Sequence, residues 1–238
     1  MKAIVLAGGK GTRLAPYTTV LPKPLMPLGD YPILEIVLRQ LKRAGFKEVT
    51  IAVGYLAHLI KAYFDSGKRL RISIDYSFEE KPLGTIGPLK LIPRPTDTFL
   101  VMNGDILTDL KFQRLIEYHK VHKATLTIGL HKREHQINLG YVEHDRDFNI
   151  TDYIEKPVHT YYVAMGIYVF EPKVYDYLEP DTKIDFPDLV LNLIKNKEKV
   201  IAYPSDAYWL DIGRPEDYEV AQNQFEKMKH LFLAGDEK

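Results

Sequence analysis

Gly8-Gly9-Lys10-Gly11-Thr12-Arg13 puts three glycines into four positions directly after an apolar run, Ala3 to Ala7. Without Cβ atoms the backbone turns tightly and presents bare N–H groups to an anion. Lys10 and Arg13 add positive charge where phosphates would lie, and a guanidinium can grip two oxygens at once. Taken alone, such a turn is equally a plain strand-to-helix connection. Two stricter phosphate motifs are absent. No G-x-x-x-x-G-K-[S/T] string occurs, and a G-x-G-x-x-G frame begun at Gly9 ends on Leu14, without the last glycine. Ten residues after Arg13, Leu21-Pro22-Lys23-Pro24 holds one lysine between two prolines. Their locked φ angles fix where its ammonium points, although by itself Lys23 would be an ordinary loop lysine.

Four further strings follow: Glu79-Glu80-Lys81-Pro82-Leu83-Gly84-Thr85, Asn103-Gly104-Asp105, Glu155-Lys156-Pro157 and Trp209-Leu210-Asp211-Ile212-Gly213. Each has a structural reading. Asp105 can cap the turn after a strand, Asp211 can cap the last helix, and Lys156 can be a strand-end charge. Their joint order is the specific signal. Gly8 to Pro16 followed by Pro22 to Pro24 resembles the G-G-x-G-T-R-L-x-P…P-K-P signature of the sugar-1-phosphate nucleotidyltransferases. The chain looks most like the mannose-1-phosphate guanylyltransferases among them. The match runs over nearly the whole chain.

The resemblance implies roles. Leu6, Gly8, Gly9, Lys10, Gly11 and Thr12 would wrap the nucleotide, and Glu79, Pro82, Gly84 and Thr85 would read its base. Arg13 and Lys23 would be catalytic, gripping the departing and the reacting phosphates. Asp105 and Asp211 would hold Mg²⁺, which takes one or two carboxylates plus substrate phosphates. Asn103, Gly104, Gly140, Glu155, Lys156 and Gly166 would contact the sugar phosphate. The implied reaction joins an NTP to a sugar 1-phosphate and releases pyrophosphate (EC 2.7.7 type).

Substrate choice is less determined. A carboxylate offers only acceptors, and guanine presents two adjacent donors, so Glu79 favours GTP if it faces the base rather than solvent. Where relatives often carry Asn two residues before the glycine matched to Gly166, this chain has Ala164. Where they often carry Tyr before the sugar-loop glycine, it has Leu139 before Gly140. Mannose 1-phosphate is therefore the leading acceptor, with a heptose or another hexose 1-phosphate open. The alternatives are a uridylyl-, thymidylyl- or cytidylyltransferase of the same fold on another phosphorylated acceptor, and a non-catalytic nucleotide-sugar sensor.

The elements that must position these residues alternate. Lys2–Leu6, Glu48–Val53, Arg71–Tyr76 and Thr98–Met102 read as strands. Helical patterns lie at 32–44, 56–64 and 112–121, and the resemblance implies a further helix starting near Thr85. Such alternation predicts an α/β fold: a Rossmann-like, mostly parallel sheet flanked by helices, with ligands at the carboxyl ends of its strands. After Ala124 closely spaced strand candidates predict a strand-rich, sugar-binding second half, then helices at 185–196 and 214–229 and a frayed 234–238. The expectation is one domain over 1–238, with a nucleotide-binding half (1–123) and a sugar-binding half with the closing helix (124–238). The chain stops soon after that helix, so the resemblance implies the form without the C-terminal β-helix of larger relatives.

Lys plus Arg and Asp plus Glu both total 32, which argues against a broad basic field for nucleic acid. The absence of cysteine excludes disulfides and Cys-ligated zinc. The short N-terminal apolar run predicts neither a signal peptide nor a membrane span, so a cytoplasmic protein is expected. A homo-oligomer is compatible with the sequence.

Overall fold

The computed structural model describes residues 1–233; the expectation for 234–238 falls outside them. In chain order the elements are β1 (Lys2–Ala7), β2 (Pro27–Leu28), β3 (Tyr31–Pro32), α1 (Ile33–Arg43), β4 (Glu48–Val53), α2 (Ala57–Phe64), β5 (Ser73–Phe78), β6 (Phe99–Asn103), β7 (Ile106–Thr108), α3 (Phe112–His122), β8 (Leu126–Gln136), β9 (Gly140–His144), β10 (Ile150–Glu155), β11 (Val158–Phe170), α4 (Phe186–Lys195), β12 (Val200–Ser205), β13 (Trp209–Asp211) and α5 (Pro215–Phe232). The central sheet has the order β12-β8-β11-β6-β1-β4-β5. It is parallel except for β11, which runs antiparallel to both β6 and β8. This is the mostly parallel, helix-flanked sheet that the alternation predicts, and both sequence halves share it.

β1 shows why the sheet sits in the middle. Ala3, Val5 and Ala7 point into one apolar cluster with α1, α2 and α3. Ile4 points into the other, with Phe99, Val101, Phe170 and α4. A strand covered on both faces needs a continuous apolar run rather than alternation, and Ala3-Ile4-Val5-Leu6-Ala7 supplies one. A third cluster lies under α5, where fully buried Phe225 and Phe232 meet Leu14, Leu107 and Ile212. It fastens the turn after β13 to the chain leaving the glycine loop.

Several boundaries differ from the sequence reading. β8 and β11 run to 11 and 13 residues, extending past the sheet as a two-stranded arm. Its tip carries exposed side chains such as Tyr161 and Tyr162, and the β9–β10 hairpin beside it is exposed almost throughout. The helix expected from about Thr85 is a short 3-10 segment, Gly87–Leu91. Pro88 fits its first turn but cannot donate in the interior of an α-helix. The β7–β13 ladder was not expected as a pairing. Among the described residues no helix is long and apolar enough to cross a membrane.

Candidate active site

The carboxyl ends of β1, β4, β5 and β6 open into one cavity of about 880 Å³. Its floor is the turn from Gly8 to Arg13. Gly11 there has φ +63°, a conformation that L side chains rarely adopt. A Cβ at Gly11 would also press on Thr18 and on the stem of Lys23, 3.0 and 3.2 Å away. The hydroxyl of Thr18 donates to the Gly11 carbonyl at 2.8 Å, fixing the turn from below. On the β4 side, Tyr55 N–H donates to the Gly8 carbonyl at 3.2 Å. On the β6 side, Gly104 N–H donates to the Leu6 carbonyl at 2.9 Å.

Lys23 begins a one-turn 3-10 segment and is buried. Its ammonium donates to Oδ2 of Asp105, which follows β6. The other oxygen, Asp105 Oδ1, is buried without a hydrogen-bond partner. Asp211 comes to the same place through the β7–β13 ladder. It pairs with Ile106, the residue after Asp105, and Ile212 N–H donates to the Asp105 carbonyl at 3.1 Å. The Asp211 carboxyl is held above its ordinary pKa, first by burial and then by the negative charge of Asp105, with Lys23 and Arg13 pulling the other way. The backbone of Gly213 lies under the Arg13 guanidinium, whose atoms are 3.4–3.5 Å from where a Gly213 Cβ would stand. Two carboxylates, a lysine and an arginine thus gather beside the glycine turn.

A cation fits that gathering. The unpartnered buried oxygen of Asp105 and the mutual repulsion of Asp105 and Asp211 are both relieved by a positive charge between them. Among the described residues no group of three or more His, Cys, Asp or Glu side chains is placed to hold a metal. Two hard carboxylates suit an ion that completes its shell with substrate phosphates and water.

The far end of the cavity belongs to the loop after β5. Glu79 N–H donates to the Val53 carbonyl at 3.0 Å, and its Oε2 accepts from Leu83 N–H at 3.3 Å. Its Oε1 lies against Gly8 and Gly54, where no side chain would fit. Glu79 therefore faces the cavity floor rather than bulk solvent. Pro82, Gly84 and Thr85 complete this wall.

The structure gathers most of the sequence-predicted residues here. Leu6, Gly8 to Arg13, Lys23, Glu79, Pro82, Gly84, Thr85, Asn103, Gly104 and Asp105 all line the cavity. Asp211 stands behind Asp105. Gly166, at φ +70°, abuts the Asn103 amide, so it shapes the cavity from behind. Gly140, Glu155 and Lys156 are not brought to the wall. They ride on the β9–β10 hairpin, Glu155 opposite Gly140, with Glu155 and Lys156 exposed. The hairpin buries none of its residues, so nothing in the fold presses it against the cavity.

Other wall residues were missed in the sequence. Gly54 and Tyr55 follow β4 and were findable, because every strand end of an open parallel sheet is a candidate. Lys183 also lines the cavity. It had no local signal, since its place depends on a contact about a hundred residues away.

The Nucleotidyl transferase family model matches residues 2–228. Over 234 residues the chain is 36% identical to a mannose-1-phosphate guanyltransferase of Candida albicans, covering 92% of this chain and 62% of that protein. It is 35% identical over 238 residues to a UTP–glucose-1-phosphate uridylyltransferase of Synechocystis sp., covering 92% of this chain and 61% of that one. Among solved structures it matches HddC from Yersinia pseudotuberculosis complexed with GMP-PN, with a TM-score of 0.73 and 27% identity over 94% of this chain and 99% of that one. The chain thus spans 61–62% of the length of these two curated relatives. With the family match running from β1 into α5, and the glycine turn, Lys23 and the two aspartates gathered in one cavity, the chain belongs to the nucleotidyl transferase family.

Proposed function

We propose that this chain transfers the nucleotidyl group of an NTP, GTP by preference, to a sugar 1-phosphate and releases pyrophosphate. Mannose 1-phosphate, or a related hexose or heptose 1-phosphate, is the acceptor. The observation that carries this reading is the Lys23–Asp105 pair beside Asp211 and Arg13 at the mouth of the glycine turn. Relatives named as mannose-1-phosphate guanyltransferases support the GTP and mannose assignment, and the uridylyltransferase relative makes UTP with glucose 1-phosphate the reading to test against it.

The reactants are both anions, so their repulsion must be screened before they meet. Asp105 and Asp211 would hold Mg²⁺, which when bound offsets phosphate charge as a Lewis acid. Lys10 and Arg13 would neutralise the β- and γ-phosphates and so stabilise the leaving pyrophosphate. Lys23 would fix the α-phosphate in line with the incoming oxygen. That oxygen needs no general base, because a phosphate monoester with a second pKa of about 6 is largely dianionic at neutral pH. One P–O bond forms from the sugar phosphate to the α-phosphorus and the α–β bridge breaks. Catalysis on this account is positioning and electrostatics. Asn103 and Gly104 would meet the acceptor from the wall. Gly140, Glu155 and Lys156 would join only by a swing of their hairpin toward it.

A matrix of NTPs against sugar 1-phosphates, with Mg²⁺ and pyrophosphate release as the readout, tests the assignment. Highest kcat/KM for GTP with mannose 1-phosphate is expected. Preference for UTP with glucose 1-phosphate would move the chain to the uridylyl class, and no release with any pair would remove the enzyme reading.

A further inference from the structure

The scheme above leaves two cations of the cavity wall idle, Lys81, which pairs with Asp181, and Lys183. Lys183 shares the wall with Glu79, Glu80, Gly84 and Thr85, and the three residues that follow it are fastened to that loop. Ile184 N–H donates to the Leu83 carbonyl at 3.0 Å, and the N–H groups of Ile86 and Gly87 both donate to the Ile184 carbonyl at 3.3 Å. Thr85 N–H donates to Asp185 Oδ1 at 2.9 Å, and Phe186 N–H returns a bond to Thr85 Oγ1 at 2.8 Å. Gly84, at φ +83°, sits so close under the Ile184 carbonyl that no Cβ would fit. The main chain directly after Lys183 is therefore fixed, while its exposed long side chain extends from that fixed point. Its acidic neighbour Asp181 is engaged by Lys81 at 3.5 Å. Among the described residues Lys183 itself has no ion pair.

A cation so placed differs from Lys10, Arg13 and Lys23. Those three belong to the chain leaving β1, next to β6 and the aspartates. Lys183 is tied instead to the loop that leaves β5, at the sheet's edge. With strands about 4.8 Å apart, three steps from β6 to β5 are roughly 14 Å, more than the reach of a triphosphate tail held beside Asp105 would require. What would lie at the β5 end is the nucleoside.

Resting on the nucleotidyltransferase reading, we propose that Lys183 selects the base, its ammonium donating to the O6 and N7 acceptors of guanine while Glu79 accepts from the donors on the adjoining edge. Lysine has three donors and no acceptor. Guanine offers it two acceptors side by side, whereas adenine replaces one with the N6 amino group, a donor. Lys183 is thus a specificity residue that favours GTP over ATP by a contact ATP cannot make.

The test is equilibrium binding of GTP, ITP and ATP to wild type and to Lys183→Met and Lys183→Arg, by calorimetry with Mg²⁺. Pyrophosphate release is run in parallel. ITP keeps O6 and N7 but lacks the 2-amino group, so it reports Lys183 apart from the second donor to Glu79. Lys183→Met is expected to weaken GTP and ITP about tenfold, as loss of one charge-assisted hydrogen bond does. ATP should change by less than about twofold on that scale, and Lys183→Arg should stay near wild type. Equal weakening of all three nucleotides would make Lys183 a phosphate-steering charge and overturn the proposal, as would no change in any. Wild type that binds GTP but releases no pyrophosphate would remove the transferase reading, while the GTP-to-ATP ratio still decided the role of Lys183. Wild type that binds none of the three would overturn the role of Lys183 and the GTP preference, and leave the transferase reading to the UTP arm of the nucleotide matrix.

Discussion

The ammonium of Lys23 donates to a carboxylate oxygen of Asp105, 82 positions away in sequence. The contact joins the proline-framed loop to the end of β6, and it leaves the second oxygen of Asp105 buried and unpartnered. On the proposed function Asp105 would hold the metal, so Lys23 and Asp105 would both exchange partners when substrates bind.

Replacing Lys23 with alanine is expected to lower kcat by about 10²-fold or more, the scale on which single preorganised donors act. The fold should persist at a cost of about 1–3 kcal/mol, because a partly buried Asp105 then loses the side-chain donor it has among the described residues. Steady-state kinetics with a thermal melt separates the two effects. Near-wild-type turnover in this variant would refute the role given to Lys23.

Asp211→Asn should raise the melting temperature while abolishing Mg²⁺-dependent turnover. Burial and the neighbouring charge of Asp105 make the ionised Asp211 carboxylate unfavourable in the folded chain. Removing that charge relieves repulsion that Lys23 and Arg13 offset only in part and that a bound cation would offset further. This is the stability–function opposition expected where charge is concentrated for catalysis. A melting temperature below wild type in metal-free buffer would contradict it.

The two leading glycines of the turn should respond differently to alanine. A Cβ at Gly8 would collide with Glu79 Oε1, whereas one at Gly9 would meet no protein atom within 4 Å. Gly9→Ala is thus expected to keep or slightly raise stability, by up to about 1 kcal/mol, yet to raise the NTP KM at least about tenfold by occupying space meant for phosphate. Gly8→Ala should impair both. Melts and NTP titrations on the pair distinguish a ligand cradle from a plain turn.

Glu79→Gln keeps an oxygen that can accept from Leu83 N–H but adds two donors. It is expected to raise UTP or dTTP use relative to GTP by about tenfold, the worth of one selective hydrogen bond. An unchanged ratio in competition assays would mean that Glu79 only props the loop.

His119 gives the pH dependence of stability. It is fully buried, with Nδ1 2.8 Å from Thr127 Oγ1 and Nε2 3.1 Å from Glu171 Oε1. Burial lowers its pKa, helped by Lys120, while Glu171 opposes the shift. The unfolded chain then binds the proton more readily, so this contribution is present above the unfolded value of about 6.5 and is lost as pH falls below it. Melts from pH 7.5 to 5.5 should show falling stability, with a shallower slope in His119→Gln. An identical slope in that variant would remove His119 as the cause.

Local chemistry made much of this legible before any fold was known. The apolar run before Gly8 marks a buried strand, and the prolines around Lys23 stop a helix and fix a loop. Asp105, just after a strand candidate, falls where an open sheet receives ligands. These inferences need only neighbours within a few residues. The 3-10 segment in place of a helix after Thr85 and the overhanging β8–β11 arm were not legible, because proline placement and edge pairing override local propensity there.

What the sequence determined alone is the set of chemical groups: a glycine turn able to wrap phosphate, cations fixed beside it, and carboxylates suited to a hard metal. Tertiary structure alone decided their company. The β7–β13 ladder sets Asp211 beside Asp105, the clamp between residues 83–87 and 184–186 brings Lys183 to the wall, and the hairpin holds Glu155 and Lys156 away from it. The physical reason is reach. Backbone preference acts over a few residues, whereas pairing across a sheet or between loops is settled by burial and hydrogen bonding among segments a hundred residues apart.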